Sequence, residues 1–168
     1  TANYQWNTTS NKTSAQNVTC KINAYNVSNA TIASISSTAY TGSAIKPTPA
    51  VTVPIPSGKT TTLTSGTHFT YSYANNTNAG TATITITGTG NYTGTKSSTF
   101  TITRKEIAVP TCSAKTYNGA SQTLFASGTG YTAGGTTTGT NAGTYTATAT
   151  PTANYQWNTT SNKTSAQN

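Results

Sequence analysis

Three stretches of the chain alternate apolar and polar positions with a period of two. Residues 81–87 read TATITIT, with Ala82, Ile84 and Ile86 on one face and threonines on the other. Residues 144–150 read TYTATAT, with Tyr145, Ala147 and Ala149 on one face. Residues 98–103 set Phe100 and Ile102 between threonines, and Tyr71 and Tyr73 share a face in the same way. Such alternation marks a strand with one buried and one solvated side. Threonine is β-branched and suits the solvated side. No window carries helical periodicity with caps. Clusters of Gly, Asn and Pro fall between the alternating runs as turns. The pattern predicts an all-β chain.

The pattern also repeats. Residues 78–92 (NAGTATITITGTGNY) match residues 141–155 (NAGTYTATATPTANY) at a constant offset of 63. Upstream, Tyr40-Thr41-Gly42 matches Tyr117-Asn118-Gly119 at an offset of 77, so the first unit carries 14 more residues. The surplus falls near residues 51–73, where VTVPIP, a turn at Ser57-Gly58-Lys59 and HFTYSY can form an additional hairpin. On a longer scale, residues 1–17 recur letter for letter as residues 152–168, a period of 151.

These spacings predict a piece of a tandem array whose period holds two related domains. Domain one spans residues 25–103. Domain two spans residues 104–168 and lacks its last strand. Phe100 and Ile102 occupy the matching place in domain one, so the closing strand should copy Gln16, Val18, Cys20 and Ile22. Residues 1–24 are then the C-terminal part of a preceding copy of domain two. Domains this small bury little surface, so a cross-link would help them.

Composition narrows the function. Charged residues are 6% of the chain, with one acid, Glu106, and one histidine, His68. Thr, Ser and Asn number 44, 17 and 17. With one carboxylate and one imidazole, most acid–base, triad and metal chemistries lack parts, and no carboxylate calcium cage can be built. The residues therefore predict no enzyme, no catalytic site, no metal and no cofactor. The formal net charge of +8 is scattered, with only Arg104 and Lys105 adjacent. No basic stripe interleaves with aromatics, so nucleic acid is not an expected partner. Attraction to an anionic cell wall or glycan fits the charge. No apolar run reaches the ~18 residues of a membrane span.

The strings YTGSAIKP and TLTSGTHFTYSYANNTNAGTATITITGTGNYTGTKSSTFTI resemble the bacterial immunoglobulin-like repeats of large surface proteins. The strings KTYNGASQTL and NAGTYTATATPTANYQW resemble the MBG-type repeat of the same proteins. Together they cover nearly the whole chain. The resemblance implies tandem immunoglobulin-like β-sandwiches in an extended array on a bacterial cell surface. This chain departs from the family in its single acid. His68 stands where such repeats often have Asp, so calcium-dependent rigidity does not carry over.

In an immunoglobulin-like sandwich the first and last strands lie side by side. Cys112, in the first strand of domain two, should then face the next copy's equivalent of Cys20. The expectation is a disulfide from each of Cys20 and Cys112 to its counterpart in an adjacent copy, not to each other within one unit. Two readings of the closing strand stay open: one continuous chain, or identical subunits that exchange Gln16, Val18, Cys20 and Ile22 as a donor strand.

The remaining candidates are weaker. His68 reads as a strand-edge residue. Glu106 could promote a Lys–Asn isopeptide bond, with Lys105 or Lys115 near it, if it were buried beside both partners. Trp6 and its copy Trp157 read as aromatics capping a core. Nine Asn-x-Ser/Thr sites, among them Asn7, Asn17, Asn75 and Asn91, matter only in a glycosylating host. The expected function is a stalk, spacer or filament segment of an extracellular surface protein, with adjacent repeats as partners. The alternative is an adhesin module that grips glycan or protein through loops such as residues 128–140.

Overall fold

The computed structural model describes Ala15 and residues 17–55, 58–161 and 163–167. Among these residues the regular structure is β, apart from one short 3-10 helix, Val27–Asn29. The strands of the first unit, residues 25–103, are β1 (Tyr25–Asn26), β2 (Thr31–Ile32), β3 (Thr38–Ala39), β4 (Val51–Pro54), β5 (Thr60–Leu63), β6 (Phe69–Ala74), β7 (Gly80–Gly88), β8 (Tyr92–Thr93) and β9 (Thr95–Thr103). Those of the second unit are β10 (Lys105–Ile107), β11 (Gln122–Thr123), β12 (Tyr131–Gly135), β13 (Thr138–Gly139), β14 (Ala147–Pro151) and β15 (Tyr155–Trp157).

The first unit is built around β7. Its alternation buries Ala82, Ile84 and Ile86 completely on one face. β6 and β9 flank it antiparallel, and β3 adds to β9 in parallel, giving the order β3-β9-β7-β6. A second sheet, β2-β4-β5, contains the extra hairpin expected near residues 51–73, paired from Val51↔Leu63 to Pro54↔Thr60. Gly58 turns it with φ +77°, a left-handed conformation that glycine adopts without a Cβ clash. Ser57 of the anticipated turn lies outside the described residues.

Val51, Val53 and Leu63 of the smaller sheet join Phe69 and Ile86 of the larger in one buried cluster. Ala82, Ile84, Phe100 and Ile102 form another, with Ile35, Tyr40 and Ile45 packed against it. Tyr71 touches both clusters. Its hydroxyl donates to the Pro49 carbonyl, and the Tyr73 hydroxyl donates to that of Pro47 at 2.7 Å. The tyrosine bodies thus cover core while their polar tips are satisfied.

The second unit repeats part of this plan. β12 and β14 pair antiparallel, Tyr131↔Pro151 through Gly135↔Ala147, as β6 and β7 do. β10 and β15 pair in parallel, as β1 and β8 do. Its interior is thinner. Among the described residues 13 apolar side chains are buried, and of these Ala149 and Trp157 come from this unit.

Three expectations are corrected. The strand expected at residues 144–150 begins only at Ala147. In the first unit the matching residues Gly80, Thr81 and Ala82 pair with β9 and not with β6. Residues 143–145 have no counterpart of β9 beside them among the described residues, so they lack the ladder that would make them a strand. Residues 128–140, read as a loop, are largely β12 and β13. Cys20 and Cys112 lie in exposed, irregular segments rather than in strands, because neither segment has a strand neighbour among the described residues.

Candidate assembly interface

The two units meet at residues that the internal repeat marks. Asn154 of the second unit accepts from the Ala79 backbone N–H at 2.8 Å through Oδ1, and its Nδ2 donates to Asn78 Oδ1 at 3.0 Å. The Tyr155 ring stands edge-on to Tyr40, with centroids 5.6 Å apart. Within the second unit, Arg104 Nε at its start donates to the Ala153 carbonyl at 3.0 Å. Tyr40, Asn78, Ala79, Asn154 and Tyr155 all belong to the Tyr-x-Gly, Asn-Ala-Gly and Asn-Tyr landmarks. Sequence reasoning used those landmarks for alignment and missed their part in the junction. Their recurrence at offsets of 63 and 77 was the available signal.

Each unit starts with the same backbone joint. The Tyr25 N–H donates to the Asn91 carbonyl at 2.9 Å, and the Lys105 N–H donates to the Asn154 carbonyl at 2.9 Å.

The far side of the second unit is open. β14 has β12 along one edge. On its other edge a bridge joins Ala149 to Gln167, with N–H···O bonds of 2.8 Å in both directions. Beyond that bridge the edge continues along residues 143–148. Opposite it runs the irregular segment that carries Cys112. Two clefts of about 380 and 420 Å³ line this gap, and Cys112 borders both. A water molecule fills ~30 Å³, so the gap has room for chain rather than for isolated solvent. Leu124, Phe125, Ala147 and Ala149 face it. Tyr117 and Tyr145 stand 62% and 38% exposed.

The segment expected to close this unit is itself bare. Val18 is 78% exposed and Ile22 99%. Cys20 and Cys112 are free and exposed, and no disulfide is present among the described residues. Gln16, the first residue of the expected closing strand, lies outside the described residues, as do Trp6, Asn7 and the rest of residues 1–14.

The other candidates take ordinary structural places. His68 is half-buried, accepts the Thr64 N–H on Nδ1 at 2.8 Å and lies against Tyr92. Trp157 is fully buried, and its Nε1 donates to the Ser165 carbonyl at 2.8 Å. It sits beside Tyr131, which stacks on Phe125. Glu106 is on the surface, where it accepts Lys163 Nζ at 2.6 Å and Gln156 Nε2 at 3.2 Å. The Lys163 hydrogen bond, then that of Gln156, holds its carboxyl below the usual range. An isopeptide reaction needs a buried, protonated glutamate between Lys and Asn. This exposed, ion-paired carboxylate does not meet that need.

Among the described residues no three His, Cys, Asp or Glu side chains gather to hold a metal ion. No helix among them is long and apolar enough to cross a membrane. No protein-family model, no curated protein and no solved structure matches the chain.

Proposed function

We propose that the chain is a stalk or spacer segment of a repetitive extracellular surface protein, built from immunoglobulin-like sandwiches stacked end to end. The single observation that carries this reading is the joint between the units. It is made by sequence landmarks that recur in both units, so one contact can serve every junction of an array. Each module in such an array needs only its neighbours. The polar, threonine-rich exterior with few charges suits a load-bearing spacer, because little of its stability depends on ionisation. A bacterial surface and a scattered positive charge toward an anionic wall belong to the same proposal.

The test is dimensional. Chains of one, two and three 151-residue periods are compared by small-angle X-ray scattering. A stalk lengthens by a constant increment per period. A radius of gyration that grows only as roughly the 0.38 power of chain length marks a compact globule and overturns the reading.

A further inference from the structure

We propose that the open edge of the second unit is an interaction surface for a second copy following in the same chain. Residues 17–22 of that copy supply the strand that completes β14. The inference rests on the array reading above and names the partner of its junction.

Register is the first argument. In the first unit β9 runs antiparallel to β7, with Ile86↔Lys96, Ile84↔Ser98, Ala82↔Phe100 and Gly80↔Ile102. Moving β7 by 63 residues places Ala149, Ala147, Tyr145 and Gly143 at these positions. The observed bridge Ala149↔Gln167 occupies the place of Ile86↔Lys96. Gln167 is the repeat-mate of Gln16. Continuing the ladder sets Val18 of the second copy opposite Ala147, Cys20 opposite Tyr145 and Ile22 opposite Gly143. Val18, Cys20 and Ile22 are then the inward residues, and each of them is exposed in the single chain. The counterparts of Cys20 and Ile22, Phe100 and Ile102, are 3% and 1% exposed, and that of Val18, Ser98, is half-buried.

The cysteines follow from the same alignment. Cys112 lies 77 residues after Ile35, and Cys20 takes the place of Phe100. Ile35 and Phe100 belong to one core cluster. The two thiols therefore point into one core, where an apolar pair stands in the first unit. Oxidised glutathione, a small disulfide, can join them. Both thiol hydrogens pass to its two sulfurs, leaving one protein S–S bond and two glutathione thiols.

The junction residues give a second, independent argument. Two residues, Thr103 and Arg104, separate Ile102 from Lys105, and two, Asn23 and Ala24, separate Ile22 from Tyr25. Lys105 and Tyr25 make the matching joints to Asn154 and Asn91. With the strand in place, Asn91 of the second copy reaches the Ala142 N–H as Asn154 reaches that of Ala79. Tyr92 likewise meets Tyr117 as Tyr155 meets Tyr40. Asn91, Asn141, Ala142 and Tyr117 are all exposed in the single chain, as an unmade junction requires.

The experiment uses a chain in which residues 18–168 follow Asn168 a second time, beside the 168-residue chain. Amide exchange at Tyr145 and Ala147 of the first copy, whose N–H groups face the added strand as that of Ala149 faces Gln167, should slow by about a hundredfold or more, and so should that of Ala142. Asn91→Ala in the second copy should release Ala142 alone. With oxidised glutathione, mapping without reduction should join Cys112 of the first copy to Cys20 of the second within one chain. Cys20→Ser in the second copy should abolish that bond and leave the protection.

Three outcomes overturn the proposal: Tyr145 and Ala147 exchanging as fast as in the single chain, a Cys20–Cys112 bond within one copy, or bonds between separate chains. If scattering still shows a constant increment per period while Tyr145 and Ala147 stay unprotected, the stalk reading stands and the strand assignment falls.

Discussion

Tyr71 and Tyr73 show how single residues hold this threonine-rich fold. Both pack on core through their rings and donate their hydroxyls to proline carbonyls. Tyr73→Phe keeps the ring and loses one bond, so it should cost about 0.5–1.5 kcal/mol in urea unfolding. Burial, and for Tyr71 also the charge of Tyr73, raises both phenol pKa values. A raised phenol pKa favours the protonated, folded state. Their contribution is complete below the ordinary phenol pKa of about 10 and is lost as pH rises through the raised values.

Glu106 behaves in the opposite sense. Its pKa is lowered, so its contribution is complete above about pH 4.5 and is lost as pH falls through the depressed value. It is the only acid in the chain. Glu106→Gln should therefore flatten the side-chain acid limb of the stability curve, read by thermal melts between about pH 2 and 6. Gly94 is a constrained turn residue. It has φ +78°, and a Cβ there would lie 2.3 Å from Asn26 Oδ1, the atom that caps the 3-10 helix through the Ser28 N–H. Gly94→Ala must both strain the backbone and displace that cap.

At the scale of elements, β7 and β14 make a natural comparison. They share the Asn-Ala-Gly-Thr lead and the alternation, yet β7 is nine residues long and β14 five. The difference lies in the neighbours. β7 has partners on both edges, and its first three residues depend on β9 alone. Strand residues are stabilised by cross-strand pairs, so intrinsic propensity is not enough. Ile86→Ala, in the doubly paired strand and fully buried, should cost about 2–5 kcal/mol in chemical denaturation. The extra hairpin, β4 and β5, was legible because its 14 surplus residues carried two apolar runs around a glycine turn. The segment at residues 128–140 was misread because Gly and Thr dominate it. Its strands pair through backbone bonds to β11 and β14 that composition does not advertise.

For the whole molecule, the uneven core has a thermodynamic consequence. Eleven of the 13 buried apolar residues among those described lie in the first unit, so the second should open at lower temperature. Thermal unfolding should show two steps, with Trp157 reporting the earlier one in a Trp6→Phe background. Asn154 couples the units by two side-chain bonds. Asn154→Ala should separate the steps further without moving the later one. A single cooperative transition in calorimetry would contradict this picture.

The sequence by itself determined the β class, the recurrence at 151 residues, the internal repeat at offsets of 63 and 77, and the near absence of acidic side chains. Each of these follows from local alternation or from copying, which a one-dimensional string preserves. Only the tertiary structure decided that the alignment landmarks are junction contacts, that the alternation at residues 144–146 does not become strand, and that Glu106 lies on the surface. Those outcomes depend on which segments stand beside one another. An unpaired edge, a shared core and a bridging asparagine are properties of neighbours in space, and the chain carries them only through the fold.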